Sequence, residues 1–330
     1  MDAEGFESDT ERFRRELLAH CYRMMGSVDE AEDAVQETYL RAWRSYPKFE
    51  GRSSVRVWLY RIATNVCLSA LRSRGRRPLP SGLGAPSEDP GAPMEPAEPG
   101  FTWLQPIPDA LVAADDPAAV AGRREGLRLA LVASLQHLPP RQRAVLLLRE
   151  VLEVPAAEVG RMLGMSTVAV KSALQRARSR IEQAAPSAED VALPTEPEQR
   201  AWLERYIEAC EQADAGAVER VLTRDAILEV PPLRTWYSGL ATCMGHLRWA
   251  IGKPGEWLME PTRANGQPAA VAYRRDPEGV YRAFGVAVLG MRQDGIDRIT
   301  VFSDAALVAV FGFPAVRVPD GGPVSAVSTS

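Results

Sequence analysis

The chain has 330 residues, 46% of them hydrophobic and 25% charged, with a formal net charge of −4. That length suggests two or three domains, and the composition is that of an ordinary folded protein. No apolar run nears the ~20 residues needed to cross a bilayer, and the acidic start MDAEGFESDTERF lacks the apolar stretch of a signal peptide, so a cytoplasmic location is expected. Cys21, Cys67, Cys210 and Cys243 are scattered without a C-x-x-C pair. Reduced, buried thiols are expected, with no metal or other cofactor.

Charge is segregated along the chain. Residues 11–77 hold 14 Arg/Lys against 8 Asp/Glu, and residues 122–182 hold 11 against 5, a net +6 in each. Residues 78–121 between them hold seven acids and no base, and residues 195–330 hold 17 acids against 14 bases. Two basic blocks parted by an acidic spacer are candidate footprints for nucleic acid.

The first strong element is an acidic amphipathic helix, Asp29 to Trp43, with Ala31, Val35, Leu40 and Ala42 as its expected buried side. Asp29, Glu30, Glu32, Asp33, Gln36 and Glu37 are left for solvent or a partner. A small polar loop follows, then a helix that carries Trp58 and ends in the basic run Arg72, Arg74, Arg76, Arg77, which has no hydrophobic role and suits phosphate. Residues 78–121 are rich in Pro, Gly, Ala and acid and form an expected linker. Its FTWLQPIPDALV stretch holds Phe101, Trp103, Leu104, Ile107 and Leu111, too many large apolar groups for a free tether, so it is expected to dock.

A helical pattern starts at Asp116, with Leu127, Leu131, Leu135 and Leu138 in one stripe. Pro139-Pro140 breaks it and starts RQRAVLLLREVL. A short helix (Val154 to Leu163), a turn (Gly164-Met165-Ser166) and a longer basic helix (Thr167 to Ile181) have the helix-turn-helix layout, with Ser166 or Thr167 as the cap. Ser172, Gln175 and Arg176 share one face. After a connector come two helices broken near Gly216, the strand DAILEVPP, the loop and helix WYSGLATCMGHLRWAIG, and strands turning at Asn265-Gly266, Pro277-Glu278-Gly279 and Asp294-Gly295. Helices followed by an antiparallel meander make an α+β unit.

Two blocks resemble a known family. D-E-A-E-D-A-V-Q-E-T at Asp29 to Thr38, Arg41-Ala42-Trp43, and W-L-Y-R-I-A-T-N at Trp58 to Asn65 resemble region 2 of extracytoplasmic-function (group IV, sigma-70 family) sigma factors. L-P-P-R-Q-R-A-V-L-L-L-R-E at Leu138 to Glu150, with V-K-S-A-L-Q-R-A-R at Val170 to Arg178, resembles region 4. The third unit resembles the polyketide-cyclase-like (SnoaL-like) branch of the nuclear-transport-factor-2-like (NTF2-like) superfamily, through its element order and the W-Y-x-G phrase at Trp236 to Gly239.

The resemblance implies a multidomain chain: all-α region 2 at 11–77, the linker at 78–121, region 4 at 122–184, a cone-shaped α+β regulatory domain at 195–315, and a disordered tail at 316–330. It implies a sigma factor that binds core RNA polymerase and directs promoter-specific transcription initiation, not an enzyme. Asp29, Glu32, Asp33, Gln36 and Glu37 would grip the β′ clamp, and region 4 would meet the β flap. Phe49 and Asn65 would wall a pocket for a flipped −10 base, with Ser53, Ser54, Arg56, Arg61, Arg72 and Arg76 on sugar, phosphate or base. At the −35 element Ser172, Gln175 and Arg176 would read bases, with Thr167, Lys171 and Arg178 alongside. The linker would thread the polymerase towards the RNA exit path. Glu229, Trp236, Tyr237, His246, Tyr273 and Asp304 are candidates for lining the cone's cavity. An anti-sigma protein or a small ligand is a further candidate partner; no membrane is expected. Two rivals remain: a cavity enzyme fused to a DNA-binding module, and a helix-turn-helix regulator that works without polymerase.

Overall fold

The computed structural model describes residues 6–7, 10–51, 53–73, 75–112, 127–184 and 193–318. Arg74, the start of the helical pattern at Asp116 and the tail beyond Pro319 lie outside the described residues. The chain forms two compact units: residues 1–78 with 102–190, and residues 79–101 with 191–330.

In the helical unit, α1 (Arg14–Met25) stops at Gly26, whose φ of 73° is left-handed and whose N–H donates to the Tyr22 carbonyl. Ser27 caps α2 (Val28–Ser45), accepting from the Glu30 N–H, and Ser54 caps α3 (Val55–Ala70), accepting from the Val57 N–H. Leu17, Cys21, Tyr22 and Met24 of α1, Ala31 and Val35 of α2, and Leu59, Ala63 and Cys67 of α3 are buried at the centre. Each large apolar side chain so buried contributes about 1.5–3 kcal/mol.

The docking expected of the second part of the linker is observed: Trp103, Leu104 and Ile107 are buried, while Phe101 stays exposed. Gln105 fixes that stretch. Its N–H donates to the Gly26 carbonyl (3.0 Å), its carbonyl accepts from the Tyr22 hydroxyl (2.7 Å), and its side chain accepts from the Val28 N–H (3.2 Å).

The second basic block forms α4 (Leu129–Gln136), α5 (Pro140–Leu146), α6 (Ala156–Leu163) and α7 (Thr167–Ala184). The expected helix RQRAVLLLREVL widens over Leu147–Val151 into a π-turn. Gly164 ends α6 with a φ of 64°, a conformation that an L side chain strains to adopt, and Ser166 caps α7 through the Ala169 N–H. Arg143 on α5 is 2% exposed and donates to the Met24 carbonyl of α1, the Gln136 side chain (2.7 Å) and the carbonyls of Gln136 and Leu138 (3.2 Å each). One guanidinium thus satisfies backbone from both basic blocks.

His20 gives this unit an acid-sensitive core. It is 1% exposed, and its Nε2 lies 2.9 Å from the Thr64 hydroxyl, which itself donates to the Tyr60 carbonyl. Nε2–H is therefore the donor. Burial first, then Arg23, lowers the imidazole pKa from 6.5 to about 3. Below pH 6.5 the unfolded chain binds a proton that the folded chain refuses, so stability is full above 6.5 and falls progressively towards pH 3. The expected loss at pH 5 is about 2 kcal/mol. His20→Gln keeps a donor to Thr64 and should flatten this limb in urea titrations at pH 7 and 5; an unchanged pH dependence would contradict the assignment.

In the second unit, Thr195 and Glu198 form a capping box that starts α8 (Glu196–Glu211). The break expected near Gly216 falls earlier. Asp214 caps α9 (Ala215–Val221) by accepting from the Ala217 N–H, so Gly216 lies inside that helix. The strands are β1 (Leu222–Glu229), β2 (Trp236–Ser238), β3 (Trp257–Ala264), β4 (Gln267–Arg275), β5 (Tyr281–Arg292) and β6 (Gly295–Phe302), ordered β2-β1-β6-β5-β4-β3. The expected antiparallel meander holds for β3 to β6, whereas β1 runs parallel to β6. Helix α10 (Leu240–Ala250) precedes β3, and α11 (Ala305–Val310) packs on β5. Strand β7 (Val316–Arg317) pairs with β5, beyond the boundary expected at 315.

The core of this unit joins Leu203, Tyr206 and Cys210 of α8 and Met244 and Leu247 of α10 to alternate strand residues: Ala226 and Leu228, Ala270 and Ala272, Ala287 and Leu289. Their strand neighbours, Glu229, Val271, Tyr273, Val286 and Val288, project from the opposite face.

Candidate polymerase and promoter surfaces

On α2, Asp29, Asp33 and Gln36 are exposed at helical spacing, and Leu40 (51% exposed) and Trp43 (46%) continue the same line. Leu40 was expected on the buried side; instead the exposed stripe passes from acidic to apolar. Glu32 and Glu37 are half-buried and paired within the chain, with Arg14 at 3.1 Å and Arg41 at 2.6 Å. Three of the five expected contact residues therefore present side chains outward.

The loop before α3 and the start of that helix enclose a depression of about 230 Å³ lined by Lys48, Phe49, Glu50, Ser53, Trp58 and Arg61. The rings of Phe49 and Trp58 are 4.9 Å apart and tilted by 39°, and Tyr46 stacks behind Phe49. Trp58 is 5% exposed and serves core and wall together. Three expected contacts stand elsewhere. Asn65, a turn beyond Arg61, donates its amide to the Arg61 carbonyl (2.8 Å) and the Met162 carbonyl of α6 (3.4 Å), so it does not wall the depression. Ser54 spends its hydroxyl on the α3 cap. Arg56 gives Nε (2.9 Å) and Nη2 (2.7 Å) to Glu16, whose hydrogen bond raises the guanidinium pKa. In the basic run Arg72 is exposed, Arg76 meets His137 (3.0 Å), and Arg77 is tied to Glu30 (2.6 Å) and the Trp103 carbonyl. Arg77 was expected on phosphate and holds the docked linker instead.

Along α7, Thr167, Lys171, Gln175, Arg176 and Arg178 are exposed and Ser172 is half-buried, while Val170, Ala173 and Ala177 face inward. Arg178 pairs with Glu150 at the surface, which costs little to break in exchange for another anion.

The six candidates for a cavity in the second unit separate onto two faces. Tyr237 pairs with Leu228 and lies on the core side, where its ring stacks on His246 at 5.0 Å. Burial raises the Tyr237 pKa, with Asp89 adding to it, and burial lowers that of His246. Trp236 pairs with Glu229 and shares its outer face. Glu229 is fully buried there: it accepts from Arg298 (2.9 Å), Thr300 (3.3 Å) and the Ser81 N–H (2.9 Å). Tyr273 also points outward and donates to the Pro314 carbonyl (2.9 Å). Asp304 is exposed and caps α11 through the Ala306 N–H. Only Tyr237 and His246 thus face the interior.

Among the described residues no cluster of His, Cys, Asp or Glu could hold a metal ion, and no helix is long and apolar enough to cross a membrane. The four cysteines are buried and unbridged. Sequence reasoning missed Arg143, Gln105 and Glu16; only Arg143 carried a signal, its place in the L-P-P-R-Q-R string.

The family model for sigma-70 region 2 matches residues 10–77, and that for sigma-70 region 4 matches residues 128–181. The ECF RNA polymerase sigma factor SigG of Mycobacterium tuberculosis is 49% identical over 313 residues, covering 94% of this chain and 84% of that protein. SigJ of the same organism is 34% identical over 176 residues, 53% of this chain and 49% of that protein. The crystal structure of SigJ shares the fold, with a TM-score of 0.60 at 21% identity, over 95% of this chain and all of that one. With both sigma regions matched in order and a relative so similar along nearly its whole length, the chain belongs to the extracytoplasmic-function sigma factors, which join core RNA polymerase and direct initiation at promoter DNA.

Proposed function

We propose that the exposed surfaces act in one initiation event. The Asp29–Asp33–Gln36 stripe docks on the coiled coil of the polymerase β′ clamp, and the depression beside Phe49 takes an extruded base of the −10 element. Helix α7 reads the −35 element through Ser172, Gln175 and Arg176 while region 4 meets the β flap. The acidic linker threads the polymerase channel. The observation that carries this reading is the depression itself: two aromatic walls, with Ser53, Lys48 and Arg61 at its rim. At about 230 Å³ it is smaller than the roughly 300–1,000 Å³ of drug-sized ligand sites and suits a single base.

The C-terminal unit acts by binding rather than catalysis. Of its six polar candidates only a stacked Tyr–His pair faces inward, and the carboxylate on the other face is already engaged by Arg298 and Thr300.

Phe49→Ala tests the base pocket. With core polymerase and a promoter carrying 2-aminopurine in the −10 element, the variant should lose about 1–3 kcal/mol of open-complex stability, the worth of one base–aromatic stack. The fluorescence rise on base extrusion should shrink with it. A variant that matches the original in both readouts would remove the depression from the mechanism.

A further inference from the structure

The fold gives no reason for Val168. It lies on the first turn of α7, directly after Thr167, and is 73% exposed. Leu40 and Trp43, the exposed apolar residues of α2, reach only 51% and 46%. The buried side of α7 is supplied by Val170, Ala173 and Ala177 instead. Nor does the helix need a valine there. Its first turn is already secured by Ser166, which accepts from the Ala169 N–H, and a β-branched residue is a poorer helix former than alanine.

Its place on the helix is more telling. Val168, Ser172 and Gln175 fall at i, i+4 and i+7, so the valine carries the base-reading face on towards the N-terminus. Lys171 and Arg176 are exposed on either side of that line. In helix-turn-helix proteins the N-terminal residues of the second helix meet base edges in the major groove. An apolar group at that point is selective. In that groove guanine offers two acceptors, adenine an acceptor and a donor, and cytosine a donor, whereas thymine adds a methyl group to its acceptor. Against the first three, valine strips water from polar atoms and returns no hydrogen bond. Against thymine, two apolar surfaces leave water together.

We propose that Val168 reads a thymine of the −35 element by packing on its C5 methyl group. A helical turn rises about 5.4 Å and a base step about 3.4 Å, so this thymine lies within about two steps of the pair that Ser172 meets. The role rests on the reading of α7 as the helix that enters the −35 element.

Holoenzyme assembled from core polymerase and the full-length chain tests it. Promoters are first selected from a duplex pool randomised across the −35 element. Each thymine of the selected element is then replaced singly by deoxyuridine, which pairs alike and lacks only the methyl group. At one position the replacement should weaken binding by about 4-fold, the worth of one methyl-sized group removed from water. Val168→Ala should bind the thymine promoter weaker by a similar factor and lose the distinction between thymine and deoxyuridine, because its side chain stops short of the methyl. Alanine favours a helix and the site is exposed, so the variant should fold as the parent does. The salt dependence of binding should stay the same, because no phosphate contact is lost.

Discrimination that survives in Val168→Ala, or a selected element in which no thymine methyl matters, overturns the role. So does an altered salt slope, which would show that the whole helix has moved on the phosphates. Arg176→Ala separates this outcome from the reading beneath it. If selection with Arg176→Ala returns a relaxed element while Val168→Ala keeps full discrimination, only the valine's role falls. If both variants select the parent's element unchanged, α7 does not read −35 bases, and both readings fall.

Discussion

Replacing Asp33 and Gln36 together with Arg should abolish binding to core RNA polymerase while the helical unit stays folded. Both side chains are exposed on α2, and neither has a role in the buried set of Ala31, Ala34, Val35, Thr38 and Ala42. Arginine is a good helix former, so the backbone has no reason to yield. At the proposed clamp contact, by contrast, the double change puts two cations where the partner expects acid and amide, and like-charge juxtaposition at an interface costs several kcal/mol. Association should slow as well, since the acidic stripe also steers encounter. Circular dichroism should report an unaltered melt, and a fluorescence anisotropy titration with core enzyme should report no saturable binding. A folded double variant with its original affinity would sink the assignment of this helix. Glu32 and Glu37 are poorer probes, because their pairing with Arg14 and Arg41 mixes internal and external effects.

The largest effect on stability is expected at Arg143. Its guanidinium reaches the carbonyls of Met24, Gln136 and Leu138 and the Gln136 side chain from a site that is 2% exposed. Burial lowers its pKa to about 10, the direction expected of a cation taken out of water. Arg143→Met fills much of the volume but strands these acceptors away from water. The expected loss is about 3–5 kcal/mol, since each buried acceptor left unsatisfied costs about 1–3 kcal/mol. Arg143→Lys should rescue little, because an ammonium cannot span four acceptors as a planar fork does. Urea unfolding midpoints with unchanged slopes would check this. A loss below about 1 kcal/mol, the worth of one ordinary hydrogen bond, would mean that water replaces the guanidinium.

The parts of the fold with a strong period were legible before the structure. The helices of regions 2 and 4, the Gly164 turn and the hairpin at Asn265-Gly266 each follow from local patterns that packing did not override. Legibility failed where a side chain's partner is distant in sequence. Arg56 looked free for DNA until Glu16, 40 residues away, was folded against it. Arg77 looked like the end of a basic run until Glu30 and the docked linker claimed it. In the C-terminal unit the error was one of parity. Glu229, Trp236 and Tyr273 were grouped with Tyr237 and His246 by chemistry, yet a strand turns each successive residue to the other face. The pairing of Leu228 with Tyr237 and of Glu229 with Trp236 decides which side each occupies. The break expected near Gly216 is present but comes slightly earlier, because the aspartate at Asp214 caps the second helix two residues before the glycine.

Residues 79–101 belong to the C-terminal unit, fastened along β2 and over Glu229, and the way they are held bears on how such chains diverge. Ser81, Gly84, Ser87 and Glu95 all hold the segment through backbone N–H or carbonyl groups, and those groups are present whatever side chain follows. Substitution is therefore cheap at Gly84, Ser87 and Glu95, whereas Met94, packed on the unit's core, and Leu79, 3% exposed, are held by their side chains. Homologues can share the seat while their linkers look unrelated when aligned letter by letter. Selection would leave its mark instead on the receiving side, at Glu229, Trp236 and Gly245, which stands against Pro90, where side-chain identity sets the fit.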